Sequence, residues 1–160
     1  MGQESPLKGK VILAVDDEPD VLEMLGDILD MCKVEGKTTH AEAVAYLDAH
    51  ALDLAILDIM GVNGLDLLKQ CVQKGIPAVM LTAHALSLET LKQSIDLGAK
   101  GYFPKEKIAE FVPFLEDALS GKEEETWHRL FERLGGFFNA TFGSDWKKNL
   151  IDTGPFIVSR

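Results

Sequence analysis

The sequence predicts an α/β fold with a central parallel sheet, and three observations carry that expectation. Short continuous apolar runs stand at residues 11–15 (VILAV), 54–57 (LAIL) and 78–81 (AVML). Strands buried on both faces read this way, whereas half-buried strands alternate. Between the runs, apolar residues recur at helical spacing, so strand and helix alternate along the chain. Each run also ends in a polar residue that can carry chemistry: Asp16-Asp17, Asp58 and Thr82.

The elements follow in order. After the first run, Val21, Leu25, Ile28 and Cys32 share one helical face, and Pro19 suits the first turn, where its missing N–H is harmless. A weaker second strand is expected around residues 34–38, with Gly36 inside it. Thr39 and Glu42 have the spacing of a capping box ahead of Ala43, Val44 and Leu47. Leu68, Cys71 and Val72, and then Leu88, Leu91 and Ile95, mark two further helices. Gly98 is a helix stop, and Gly101-Tyr102-Phe103 is a brief fifth strand. Pro113 is expected in the first turn of a fifth helix or at a kink in it. Five strands and five helices thus fit in roughly 120 residues.

Composition narrows the function. The chain has 160 residues, 46% of them hydrophobic and 26% charged, enough for one packed domain with an appendage. No apolar run approaches the about 18 residues that span a bilayer, and residues 1–10 lack the apolar stretch of a secretory signal. A cytoplasmic protein with two reduced thiols, Cys32 and Cys71, and no membrane association is expected. The formal net charge of −10 argues against direct nucleic-acid binding, which needs a basic footprint. Residues 121–160 balance six basic against six acidic side chains, so the acidity belongs to the first 120 residues.

Some of that acidity is expected in one place. In an open parallel sheet, ligands bind in the crevice at the carboxyl ends of the strands. Asp16, Asp17, Asp58, Thr82 and Lys105 all fall there. Two carboxylates about 4 Å apart repel by roughly 4 kcal/mol at an effective dielectric of about 20, so such a cluster raises its own pKa values unless a cation intervenes. A hard divalent ion suits an all-oxygen donor set, and Mg²⁺ fits best, since one or two carboxylates with water and phosphate oxygens usually hold it. Lys105 adds a positive charge opposite, and the Thr82 hydroxyl can hydrogen-bond an incoming oxygen.

This arrangement resembles the receiver domain of response regulators in two-component signal transduction, over roughly residues 9–120. The resemblance rests on Asp16-Asp17 after the first strand, Asp58 after the third, Thr82 in LTA at the fourth, and Tyr102 three residues before Lys105 at the fifth. It implies a flavodoxin-like, doubly wound five-stranded sheet of order 2-1-3-4-5, with helices on both faces. It also implies that Asp58 accepts a phosphoryl group from a phosphohistidine on a sensor histidine kinase or a phosphotransfer protein. Asp17, Asp58 and the backbone carbonyl of Met60 would hold Mg²⁺, for which Mn²⁺ can substitute; Asp16 would act directly or through water. Lys105 would neutralise charge on the transferring group, and Thr82 and Tyr102 would be the switch residues. Output would pass to a downstream protein target, and a homodimer is compatible with it. The chain would be a phosphoacceptor with self-catalysed transfer and slow autodephosphorylation, not an enzyme in the usual sense.

The chain departs from the family's pattern twice. The segment from Asp58 to Gly64 is shorter than the usual loop after the acceptor and lacks its proline; and Glu106 follows Lys105 where proline is usual, while Pro104 precedes it. His84, two residues past Thr82, stands where the family lines the mouth of the site, and a surface-loop histidine is an equal reading. His40, His50 and His128 show no ligand spacing.

Ser120-Gly121 marks a boundary, so a tail (1–8), a receiver (9–120) and a helical extension (121–160) are expected. Trp127, Leu130, Phe131, Leu134 and Phe138 share a helical face, Gly135-Gly136 weakens the helix, and Phe142, Trp146, Leu150 and Ile151 continue the apolar supply. An appendage packed on its own domain is favoured over a docking or dimerisation element; about 40 residues are too few for a winged-helix DNA-binding domain. Two rival functions remain. An aspartate-nucleophile phosphatase usually needs an acid two residues after the nucleophile, where Met60 stands. A receiver-like module that no longer takes phosphate would work by shape alone, and Asp17, Asp58, Thr82 and Lys105 argue against it.

Overall fold

The computed structural model describes residues 5–83, 87–120 and 123–150. Five parallel strands form one sheet: β1 (Val11–Val15), β2 (Lys33–Lys37), β3 (Leu54–Leu57), β4 (Ala78–Thr82) and β5 (Gly101–Pro104), in the order β2-β1-β3-β4-β5. Register runs Val15↔Leu57 between β1 and β3 and Thr82↔Pro104 between β4 and β5, which brings the strand ends level. Every residue of β3, β4 and β5 is buried, whereas β2 is a partly exposed edge. The polar sequence of β2, KVEGK, follows from that edge position.

Around the sheet lie α1 (Pro19–Ile28), α2 (His40–Ala49), α3 (Gly64–Gln73), α4 (Leu88–Leu97) and α5 (Phe111–Ser120), the last preceded by a 3₁₀ turn at Lys105–Glu110. Pro19 occupies the first turn of α1, and α4 stops at Gly98, whose φ of +102° suits glycine. Pro113 is the third residue of α5, where its missing N–H costs no helical bond. Two local expectations need correction. Thr39 Oγ1 accepts from the Glu42 N–H at 3.2 Å, but the reciprocal bond is absent among the described residues, so the cap is half a capping box. Cys32 is not on the α1 face. The helix ends at Ile28, because the chain must turn back to enter β2 beside β1, and Cys32 Sγ donates to the Leu7 carbonyl in that turn. Burial pushes the other thiol, Cys71, up to about 12.

A sixth helix, α6 (Glu123–Phe142), packs on α5 and β5 and leads to a second 3₁₀ turn at Trp146–Leu150. Trp127, Leu130, Phe131, Leu134 and Phe138 are all buried, as their spacing predicts. Their packing carries the helix across Gly135-Gly136, since tertiary burial outweighs local propensity. Arg129 pairs with Asp117 of α5 at 3.3 Å, and Thr126 Oγ1 donates to the Asp117 carbonyl. Phe131 and Phe138 meet the Trp146 ring edge-on, and Trp146 Nε1 donates to Asn139 Oδ1 at 2.7 Å. Ile151 lies outside the described residues. No helix among the described residues is long and apolar enough to cross a membrane.

Candidate functional site

The carboxyl ends of β1, β3, β4 and β5 converge on one crevice, and the strands aim the side chains. Asp16 follows β1, and its N–H donates to the Lys37 carbonyl of β2. Asp58 follows β3, with its N–H on the Val15 carbonyl. Lys105 follows Pro104, the last residue of β5. Asp16 and Asp58 are buried and Asp17 is exposed; their carboxylate oxygens come within 4.8 Å of one another. Lys105 Nζ lies 2.8 Å from Asp16 Oδ2 and 3.6 Å from Asp58 Oδ2. Glu106 in place of the usual proline therefore leaves Lys105 directed into the crevice.

Each oxygen has a distinct surrounding. Asp16 Oδ1 accepts from the Glu18 N–H at 2.9 Å while Oδ2 faces Lys105, so both are engaged within the protein. Asp58 Oδ1 accepts from the Ile59 N–H at 3.0 Å. Burial first, and then the charge of Asp16, raise the Asp58 pKa to about 6; Lys105 and the Ile59 bond pull the other way. Thr82 Oγ1 is buried with no hydrogen-bond partner, and from outside hydrogen-bonding geometry it exerts the smallest of the lowering effects on Asp58. Burial also raises Asp16, against the pull of Lys105. Burial depresses the Lys105 pKa, but its bonds to Asp16 and Glu18 and the charges of Asp58 and Asp16 outweigh it, and the net shift is upward.

The loop after Asp58 closes on bare backbone. Gly61 has φ +82°, and a Cβ there would lie 2.6 Å from Asp17 Cγ. A Cβ on Gly64 would lie 2.7 Å from the Asp58 carbonyl carbon. Asn63, at φ +52°, turns the chain into α3. Two fewer side chains at this turn let the loop pass against the acidic cluster. Met60 stands in that loop, 53% exposed.

Tyr102 is fully buried, and its hydroxyl reaches α4: it accepts from the Ser87 N–H at 3.2 Å and pairs with Thr90 Oγ1 at 2.7 Å. Ser87 and Thr90 form a reciprocal capping box. The ring thus joins β5 to the start of α4. His84 lies outside the described residues.

Sequence reasoning missed four participants. Glu18 Oε1 holds Lys105 Nζ at 2.9 Å; its place directly after Asp17 was the available signal. Ser87 and Thr90 were legible only as a helix start, and Gly61 only as a loop residue. The donor set around Asp16, Asp17 and Asp58 is all oxygen, partly open on the Asp17 side, and bordered by an unpartnered hydroxyl, which fits a hard cation and a phosphoryl group.

Comparison with known proteins agrees with fold and crevice. Residues 12–112 match the response regulator receiver domain, and the chain belongs to that family. It is 37% identical over 125 residues to the transcriptional regulatory protein CpxR of Klebsiella pneumoniae, covering 72% of this chain and 53% of that protein. It is 32% identical over 123 residues to the DNA-binding response regulator MtrA of Mycolicibacterium smegmatis, covering 71% and 52%. The chain thus spans about half the length of these curated relatives. Among solved structures, the non-phosphorylated HemR receiver domain of Leptospira biflexa is 34% identical with a TM-score of 0.62, covering 71% of this chain and 96% of that one. The NtrX receiver domain of Brucella abortus is 29% identical with a TM-score of 0.62, covering 69% and 99%.

Proposed function

We propose that this chain receives a phosphoryl group on Asp58 from a phosphohistidine of a sensor histidine kinase or a phosphotransfer protein, and signals by the change in shape that follows. The carrying observation is a buried carboxylate, Asp58, with Lys105 at 3.6 Å and an unpartnered Thr82 hydroxyl beside it. In the transfer, an Asp58 oxygen forms a bond to phosphorus as the phosphorus–nitrogen bond of the donor breaks, its electron pair leaving with the imidazole. Asp17, Asp58 and the Met60 carbonyl would hold Mg²⁺ (or Mn²⁺), with Asp16 contributing directly or through water, and the ion would supply positive charge to the transferring oxygens. Lys105 neutralises the charge that remains, the main help a loose phosphoryl-transfer transition state can use.

After transfer, the Thr82 hydroxyl gains the partner it lacks by donating to a phosphoryl oxygen. Movement of Thr82 is felt at Tyr102, which lies on the neighbouring strand and holds the start of α4. The face near α4 and β5 is therefore the output surface, and the phosphoryl group shifts the balance only through contacts better made in the active arrangement. A net charge of −10 supports output through a protein target, with a homodimer compatible. On this basis residues 9–120 are the receiver and the helical layer beyond them an extension, in a cytoplasmic protein that autodephosphorylates slowly.

The test is intact mass after incubation with Mg²⁺ and acetyl phosphate, beside Asp58→Asn. One added phosphoryl group, absent without Mg²⁺ and in the variant, is expected. No added mass, with beryllofluoride also leaving the amide spectrum unchanged, would overturn the phosphoacceptor assignment in favour of a receiver-shaped interaction module.

A further inference from the structure

We infer that Glu18 is a positioning residue for Lys105, holding its ammonium off Asp58 so that this carboxylate stays open to a divalent cation and to phosphorus. The inference rests on the phosphoacceptor assignment and concerns the same crevice. Lys105 Nζ makes close contacts with Asp16 at 2.8 Å and Glu18 at 2.9 Å, but stands back from Asp58 at 3.6 Å. Three carboxylates thus compete for one ammonium, and the two that win are not the acceptor.

The Glu18 backbone is fixed for this task. Its N–H is held by Asp16 Oδ1, its carbonyl accepts from the Val21 N–H at 3.1 Å, and Pro19 follows it as the first residue of α1. The side chain therefore leaves from a set point at the rim of the crevice, half exposed, and meets the mostly buried lysine from the solvent side. If only Asp16 remained as a close partner, Lys105 would settle on Asp58. An ammonium hydrogen-bonded to Asp58 would occupy an oxygen that a cation needs and would oppose the cation's charge.

The experiment is a Mg²⁺ titration of the full chain by amide NMR, with phosphoryl uptake from acetyl phosphate followed separately by intact mass. Wild type is compared with Glu18→Gln, with Glu18→Asp and with Glu23→Gln; Glu23 is an exposed acid of α1, so its variant loses the same charge away from the crevice. For Glu18→Gln, half-saturation is expected at about two- to fivefold higher Mg²⁺, the span of one exposed ion pair. Phosphoryl uptake by the same variant should slow at sub-saturating Mg²⁺, where the ammonium competes for Asp58. Glu18→Asp should fall between, and Glu23→Gln should match wild type. Half-saturation unchanged in Glu18→Gln, an equal shift in Glu23→Gln, or uptake by Glu18→Gln unslowed at sub-saturating Mg²⁺ would each overturn the positioning role while wild type still takes up phosphoryl. A wild-type protein that takes up none would instead remove the assignment on which it rests.

Discussion

Asparagine at position 58 is expected to stabilise the metal-free protein at neutral pH while abolishing phosphoryl uptake. The Asp58 side chain is only 4% exposed, and burial together with Asp16 raises its pKa from 3.8 to about 6. A tenfold change in proton affinity corresponds to about 1.4 kcal/mol, so an ionised Asp58 costs the folded state about 3 kcal/mol. The sign follows from which state keeps the proton. Below pH 3.8 the carboxyl is neutral folded and unfolded, and there is no cost. Between 3.8 and about 6 the folded protein retains a proton that the unfolded chain releases, so stability falls as pH rises, and above that window the cost is constant. The attraction to Lys105 is already contained in that net shift; the amide of the Asp58→Asn variant keeps the shape without the charge but brings an NH₂ group to be satisfied, so the gain at pH 7.5 is about 1–3 kcal/mol. Urea melts followed by far-ultraviolet circular dichroism, in chelator at about pH 4.5 and 7.5, measure it. The advantage of the variant should be larger by about 2 kcal/mol at the higher pH, and Mg²⁺ should close the gap by stabilising wild type alone. An advantage independent of pH, or a variant less stable than wild type at the higher pH, would refute the reasoning.

Gly61→Ala places a methyl against the Asp17 carboxylate at φ +82°, and should cost about 1–3 kcal/mol in a urea melt and weaken Mg²⁺ binding measured by titration. Tyr102→Phe keeps the ring but removes one hydrogen bond each from the Ser87 N–H and the Thr90 hydroxyl, which retain those of their capping box, with an expected loss of about 1–2 kcal/mol. Its amide exchange should quicken at the start of α4 before it does in the central strands. Trp127→Ala empties a fully buried site between α6 and the domain beneath, and should lower stability by about 3–5 kcal/mol, read by thermal melting.

The central strands are legible in the sequence because β1, β3 and β4 are buried on both sides and so are apolar without interruption. The edge strand β2 is harder to read, since exposure permits Lys33, Glu35 and Lys37, and its identity comes from pairing with β1. Asp16, Asp58 and Lys105 are legible as a site because strand ends in a parallel sheet must meet. Glu18 is not, because an acid ahead of a helix-starting proline has an equally good local explanation, and only the approach of β5 turns it toward a lysine 87 residues away. The end of α1 before Cys32 was hidden for a similar reason: helical spacing continues past the residue at which the chain must turn toward the sheet. On α6, by contrast, five apolar residues on one face outweigh two glycines, and the periodicity alone is a sound guide.

Both tryptophans of the chain, Trp127 and Trp146, belong to the α6 layer, and both are buried there. Tyr102 of β5 also emits, but excitation selective for tryptophan reports on that layer alone, with the five-stranded sheet dark to it. Circular dichroism, by contrast, sums over every helix and strand. A denaturation curve recorded at both signals dissects the protein without any label: coincident midpoints mean that α6 melts with the sheet, and an earlier fluorescence transition means that it peels away while the acidic crevice still stands.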